Sequence, residues 1–395
     1  MQPKSIFILG RQPAIGRAEL ESLFGPEHLQ PLGEQAMLSD VAASDIPFDR
    51  LGSSVRVAKV LMRQDTTNWS DLMRAVAKDL PAQLDFLPDE GKLKLGLSAF
   101  GLPVTPQQLF RSGLELKKIC KKANRSVRLV PNTEPALSSA QVLHNQMTGE
   151  LGMELLLVSD GVRTWVAQTT AVQDITAYAR RDQGRPKRDA RVGMLPPKLA
   201  QTIVNLGVGH LPATIDNVVL DPFCGTGVVL QEALLMGYGA YGTDLEPRMI
   251  DYSQHNLEWL ATHGSIDTPL LQVADATTYQ WTGNFTAIAG ETYLGRPLSS
   301  WPNPDTLQEI TGTCNVIIET FLRNIAAQTQ PGTRFCLAVP AWVAPNGRIH
   351  HLRILDHLEK MGYNRLQFEH ARDEDLVYYR PEQIVARELL VIIRK

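Results

Sequence analysis

Apolar and polar positions along the chain change period repeatedly, and each change marks an element. Two short apolar runs, Ile6–Leu9 and Val55–Val60, flank a helical stretch around Ala18–Phe24, which predicts a small α+β unit over residues 1–65. Residues 66–175 repeat the mixture. A helix is expected around Trp69–Leu80, a strand over Lys92–Phe100 and a second helix over Thr105–Ala123. Further strands are expected near Ser126–Val130, Glu154–Val158 and Thr164–Thr169. The second helix separates its faces. Leu116, Ile119, Cys120 and Ala123 form an apolar stripe at spacings of three and four, while Lys117, Lys118, Lys121, Lys122 and Arg125 fall opposite it.

Residues 176–197 interrupt the regularity with Gly184, Arg185-Pro186, Gly193 and Pro196-Pro197, and predict a connector. Beyond it, helices and strands alternate. The expected order is helix Lys198–Leu206, strand Val218–Leu220, helix Val228–Met236, strand Ala240–Gly242, helix Met249–Thr262 and strand Leu270–Val273. Strand Ala287–Ala289, helix Ile310–Ala327, strand Arg334–Val339 and helix Leu352–Met361 follow, with a closing strand pair near Leu376–Tyr379 and Leu389–Ile393. Such alternation predicts an α/β domain over residues 198–395, its mostly parallel sheet covered on both faces.

A chain of 395 residues with 44% hydrophobic and 21% charged positions reads as a soluble globular protein of two or three domains. No apolar stretch is long enough to span a membrane, and the N-terminus shows no cleavable signal, so a cytoplasmic setting is expected. The four cysteines, Cys120, Cys224, Cys314 and Cys336, lie far apart, which points to neither a zinc site nor a disulfide framework; no metal is expected. Net charge is −3, but its distribution is uneven. Residues 111–128 hold seven Lys/Arg and one acid, and residues 180–191 hold six and two, which leaves 26 basic against 39 acidic residues elsewhere. Positive charge gathered in two windows of an acidic chain is the expected form of a local phosphate footprint, and also of a solvated face.

The sharpest motif ends the first strand of the α/β half. Val219-Leu220-Asp221 leads through Pro222, Phe223 and Cys224 into Gly225-Thr226-Gly227, and Val228 opens a helix. Ligands of such sheets bind beyond the carboxyl ends of the strands, and glycines let the main chain approach them closely. A dinucleotide fingerprint requires Gly or Ala three places after Gly227, where this chain has Leu230. Acids close three successive strands instead. Asp221 suits the cationic amino group of S-adenosylmethionine, and Asp244 stands where an acid reaches both ribose hydroxyls. Asp275 is placed to accept from the adenine amine, and Leu245 and Ala276, next to these last two acids, join the expected cofactor contacts.

At the fourth strand, Glu291-Thr292-Tyr293-Leu294-Gly295 follows Ala287–Gly290. Methyltransferases that act on base amines grip the exocyclic NH2 with an acceptor pair and stack an aromatic ring on the flipped-out base. Glu291 is therefore expected to accept from the amine, the Thr292 carbonyl to be the second acceptor, and Tyr293 to stack. The competing expectation is a turn that merely caps a strand. Arg296, Pro297, Trp301 and Pro302 follow in a loop placed to close over a base, and Arg372, Tyr378 and Arg380 are candidates for the same mouth.

With these motifs the chain resembles the THUMP-domain tRNA guanine-N2 methyltransferases, whose members modify the guanosine at position ten of tRNA. The likeness runs along nearly the whole length. It rests on Leu51-Gly52-Ser53-Ser54-Val55, Ser126-Val127-Arg128, Gln173-Asp174-Ile175, Arg180–Pro186, Met194–Ala200, the Asp221–Gly227 loop and Arg380-Pro381-Glu382-Gln383. The resemblance implies a ferredoxin-like domain over 1–65, a tRNA-holding THUMP domain over 66–175, a linker over 176–197, and a class I Rossmann-like methyltransferase domain over 198–395. It further implies that Leu195 and Pro196 flank the methionine end of S-adenosylmethionine and that Glu291 occupies the catalytic acid's place. Some relatives use a small activator subunit. The family's fourth-strand pattern, Asp-Pro-Pro-Tyr-Gly, survives here only as an acid and Gly295. Lys117, Lys118, Lys121, Lys122 and Arg125, with Arg180, Arg181, Arg185, Lys187 and Arg188, become the expected phosphate contacts, which position RNA without reading it. Two other readings stand beside this one: a DNA or ribosomal-RNA amino-methyltransferase, and a non-catalytic RNA-binding protein that holds the cofactor.

Overall fold

The computed structural model describes every residue except 89, 190–193 and 265, so Arg191 and Gly193 lie outside the described residues. The chain divides into two compact units. One comprises Met1–Pro13, Gly25–Asp49 and Ser54–Ala177; the other comprises Ala14–Phe24, Arg50–Ser53 and Tyr178–Lys395.

In the first unit, β1 (Ser5–Leu9) precedes helix α1 (Pro13–Phe24), which from Ala14 onward belongs to the second unit. Strands β2 (Leu29–Leu32) and β3 (Ala36–Ser39) form a hairpin that the apolar pattern does not announce, because runs of four residues carry too little period to read. Then come β4 (Ser54–Gln64), α2 (Trp69–Leu84), β5 (Lys92–Phe100), α3 (Pro106–Lys122), β6 (Ser126–Leu129), α4 (Ser139–His144), β7 (Gly152–Ser159) and β8 (Thr164–Val172). All eight strands join one sheet, ordered β2-β3-β1-β4-β8-β7-β5-β6, so residues 1–65 and 66–175 share it. A capping box starts α3: Gln108 N–H donates to Thr105 Oγ1 (3.3 Å) and Thr105 N–H to Gln108 Oε1 (2.9 Å). Its Leu109, Leu116 and Cys120 pack into the core of this unit, which leaves the lysines outward.

Helix α5 (Ile175–Gln183) begins at the end of the first unit and belongs to the second from Tyr178 onward, and all of it but Ile175 falls in the segment expected as a connector; Asp174 Oδ1 caps it, accepting from Thr176 N–H (3.0 Å) and Ala177 N–H (2.9 Å). Then follow α6 (Pro197–Val208), β9 (Val218–Asp221), α7 (Val228–Leu235), β10 (Gly239–Asp244), α8 (Pro247–Ala261), β11 (Leu270–Val273) and β12 (Ala287–Glu291). After these come α9 (Pro304–Ala326), β13 (Arg334–Val343), β14 (Ile349–His350), β15 (Tyr363–Arg365), β16 (Val377–Tyr378) and β17 (Val385–Arg394). The sheet runs β11-β10-β9-β12-β13-β17-β15, with β14 on β13 and β16 on β17. Its first five strands pair in parallel, and the remaining pairings are antiparallel. Strand order reverses between β9 and β12, and that switch point opens the crevice in which such sheets take ligands.

The segment Arg353–Met361, expected as an α-helix, is wound as a 3₁₀ helix. Its end is tightened by Gly362, which adopts a left-handed conformation (φ 87°) and donates its N–H three residues back to the Glu359 carbonyl (3.1 Å). Helix α1 docks within the second unit through buried Ile15 and Ala18 and through buried Glu19. The Glu19 carboxylate accepts from Gly52 N–H (2.9 Å), Ser53 N–H (2.8 Å) and Asn205 Nδ2 of α6 (2.8 Å). Among the described residues, no helix is long and apolar enough to cross a membrane and no group of three or more His, Cys, Asp or Glu is placed to hold a metal ion.

Candidate active site

The glycine loop is built by backbone geometry. Gly225 (φ 53°) and Gly227 (φ 81°) both take left-handed conformations, and a Cβ on Gly227 would press against Ser253 Oγ at 2.9 Å. Ser253 of α8 donates its hydroxyl to the Gly225 carbonyl (2.8 Å), and Asn256 Nδ2 donates to the Thr226 carbonyl (2.9 Å). On the strand side, Cys224 N–H donates to the Thr243 carbonyl (2.9 Å) and Gly225 N–H to Asp244 Oδ2 (2.9 Å). The loop is thus fixed to α8 and β10, with its helix α7 starting at Val228. Ser253 and Asn256 were not legible as site residues, since side-chain to main-chain bonds leave no spacing pattern.

Asp221 is buried at the end of β9, where its Oδ1 accepts from Phe223 N–H (3.1 Å). A Cβ on Gly290 of the neighbouring β12 would collide with this carboxylate, so the glycine gives it room. Burial pushes the Asp221 carboxyl well above the usual carboxylate range, and the nearby Asp244 and Glu291 push it further. Burial likewise raises Asp244, against the pull of the Glu246 and Gly225 amides. Asp275 is exposed and accepts from Thr277 N–H (2.9 Å) and Thr277 Oγ1 (2.6 Å). Leu245 is 63% exposed at the end of β10 and Val273 51% exposed at the end of β11, whereas Ala276 and Leu195 are buried.

Glu291 closes β12 beside the switch point and is paired with Arg387 of β17, whose Nε donates to Glu291 Oε2. The pair is enclosed, its side chains 14% and 7% exposed. Thr292 is buried and holds the Ala338 carbonyl of β13 through its N–H (3.0 Å) and its hydroxyl (3.3 Å). Tyr293 is exposed, Gly295 turns the chain at φ 83°, and Trp301 packs against the His350 ring at 5.3 Å. Arg372 pairs with Glu374 and Asp375, and Tyr378 lies on β16 opposite Arg387. Arg387 escaped the sequence reading. Its signal is a charged Arg387-Glu388 step inside an otherwise apolar strand, a pattern that indicates partnered, buried charge.

Three carboxylates thus converge at the carboxyl ends of β9, β10 and β12 against one guanidinium. With the close-approach glycines and the exposed Leu245 and Val273, this donor set fits a cationic ligand that carries ribose hydroxyls and an apolar ring system. Asp221, Asp244, Leu245 and the loop from Pro222 to Gly227 are brought together; Asp275 and Ala276 follow β11.

The basic residues divide. Lys118, Lys121, Lys122, Arg180 and Arg188 are exposed, Lys118 beside Glu115 (2.7 Å), and Lys117 is half-buried. Lys187 lies over the Tyr252 ring (5.3 Å), with Arg248 at 5.7 Å from the same ring. Three expected phosphate contacts are directed inward instead. Arg125 is buried, with Nη2 on the Pro88 carbonyl. Arg181 neutralises buried Glu232 through two bonds (2.9 and 3.1 Å), and Arg185 is buried among Asp182, Arg188 and Glu232. A cleft of about 500 Å³ opens in the first unit between Phe86–Pro88 and Met147–Gly152, with Phe86 84% exposed at its rim.

No protein-family model matches the chain. Among solved structures, TrmN from Thermus thermophilus superposes with a TM-score of 0.55 over 99% of both chains, at 16% identity. The fold is that of TrmN. It unites an α+β region and a Rossmann-like α/β region in one chain, as read from the element pattern. Among curated proteins, the tRNA (guanine(10)-N2)-dimethyltransferase of Methanothermobacter thermautotrophicus is 42% identical over 66 residues, 17% of this chain and 18% of the relative. The enzyme of the same name from Pyrococcus abyssi is 37% identical over 83 residues, 21% of this chain and 22% of the relative. The chain therefore spans about a fifth of the length of the curated relatives it matches.

Proposed function

We propose that this chain transfers a methyl group from S-adenosylmethionine to an exocyclic base amine of tRNA, with guanine N2 the expected acceptor. The observation that carries the reading is the convergence of Asp221, Asp244 and Glu291 at the switch point of the parallel sheet. The names of the partial relatives support the substrate class. When bound, the cofactor supplies a methyl group on a sulfonium. Asp221 would hold its amino group, Asp244 the ribose hydroxyls and Asp275 the adenine amine, with Leu195 and Pro196 at the methionine end. Glu291 would accept a hydrogen bond from the target amine, and exposed Tyr293 would stack on the base. Because the methyl donor is already strongly activated, catalysis rests on orientation and on exclusion of competing hydrogen bonds. Residues 1–65 and 66–175 would serve as the RNA-holding region, 176–197 as the linker and 198–395 as the transfer domain, in a cytoplasmic setting. Of the basic residues, those left exposed, Lys118, Lys121, Lys122, Arg180 and Arg188, are the proposed phosphate contacts.

A second reading, a cofactor-holding RNA-binding protein without turnover, is favoured by one observation: Glu291 is already engaged by Arg387. Incubating the chain alone with labelled methyl donor and unmodified tRNA, ribosomal RNA or DNA, then identifying the nucleosides by mass spectrometry, separates the readings. N2-methylguanosine in tRNA is the expected product, and its formation would also exclude dependence on an activator subunit. Product confined to ribosomal RNA or DNA would move the substrate class. Intact cofactor binding without transfer to any of the three would favour the second reading.

A further inference from the structure

The Glu291–Arg387 pair sits where the chemistry is proposed, yet a bare acceptor for an amine needs no cation at its back. Glu291 projects from the end of β12 into the crevice, and Arg387 reaches it from β17, two strands away across β13. Arg387 lies opposite Pro340 of β13, beyond the Ala338 that pairs with Glu291. The contact is one-sided. Nε takes Glu291 Oε2, and among the described residues Oε1 has no hydrogen-bond partner. The charged groups around Glu291 are Arg387 from β17 and Asp221 from β9, on which Asp244 also acts, and Tyr378 of β16 pairs opposite Arg387. Arg387 is the one cation acting on Glu291 among the described residues.

We propose that Arg387 is a positioning residue for methyl transfer: it holds Glu291 as a carboxylate with Oε1 turned to the substrate amine, so that Glu291 both orients the amine and receives its proton. This rests on the amine-methylation reading above. The enclosed setting works against it: burial raises the Glu291 carboxyl above its ordinary value, and Arg387 pulls it part of the way back down. Without that cation, the buried Glu291 carboxyl would keep its proton to higher pH and present O–H to an amine that needs an acceptor. In the step itself, the amine lone pair forms the N–C bond as the methyl C–S bond breaks towards sulfur. The nitrogen then sheds one proton, which Glu291 Oε1 takes and passes to water.

The test compares wild type, R387Q, R387K, E291Q and the R387Q/E291Q double variant, each checked for folding by thermal melting. In R387Q the acid limb of the kcat–pH profile should move up by about 1–3 pH units, with KM for the methyl donor changed less than about twofold. R387K should restore most of the limb, which a purely structural loss would not allow. A uniform loss at every pH, or an unmoved limb, overturns the proposal. Infrared difference spectra against E291Q report the Glu291 carboxyl directly and need no substrate; its midpoint should rise in R387Q. If wild type methylates nothing, the parent reading fails, and an unchanged infrared midpoint separately sinks the role of Arg387. The double variant, with no charge left unpaired, shows whether loss of stability in R387Q comes from the orphaned carboxylate.

Discussion

Asp221 and Asp244 place two carboxyl groups, both raised by burial, within one crevice. An acid whose pKa is higher folded than unfolded binds an extra proton on folding. Its burden on stability is therefore absent below the unfolded value and grows as pH rises through the folded one. A bound cation favours the ionised forms, so cofactor binding should release protons, and its affinity should rise with pH above the ordinary carboxylate range. Calorimetry in buffers of differing ionisation heat should show release of about one proton; net uptake would refute the assignment of a cation to this site. Asp221→Asn should raise the melting temperature of the ligand-free protein and weaken cofactor binding by at least about tenfold. Gly290→Ala, which drives a methyl into the Asp221 carboxylate, should also abolish cofactor binding.

Helix α1 and the segment Arg50–Ser53 show what an element can do when a buried charge anchors it. Glu19 joins two main-chain amides and Asn205, so Glu19→Ala strands three donors and should cost about 3 kcal/mol in urea unfolding. A cost below about 1 kcal/mol would mean that water replaces the carboxylate. For α3, reversing Lys117, Lys118, Lys121 and Lys122 should weaken tRNA binding and flatten its dependence on salt; unchanged affinity would make the stripe a solvated face. Long elements of this kind were legible. Lys92–Phe100 was read to the residue, because its strand signal runs uninterrupted for nine residues and ends at Gly101. The tight turn at Gly225 and Gly227, and the acids that end β9 and β10, were legible for the same local reason. What stayed hidden depends on distant partners: Arg387 meets Glu291 across 96 positions, and Glu19 finds Asn205 across 186. Arg125, Arg181 and Arg185 looked like surface charge because a sequence shows that a cation is present, not which carbonyl or carboxylate encloses it.

The second unit is assembled from three separate stretches of chain, and Ile15 and Ala18 lie in the same core as Leu199, Ile203 and Val229. Residues 178–395 produced alone should therefore aggregate or melt far below the full chain, and adding residues 1–177 only as a separate polypeptide should rescue little. A soluble, cooperatively folded 178–395 would show that α1 is dispensable. The order of synthesis gives the arrangement a further consequence. Helix α1 is made well before the surface that covers its apolar side: α6 follows roughly 170 residues later, a wait of roughly 10–35 s at roughly 5–20 residues per second. Through that interval the nascent chain carries a helix whose apolar side is uncovered, so production of this protein should be unusually sensitive to the supply of holding chaperones, and slow translation should lower its yield.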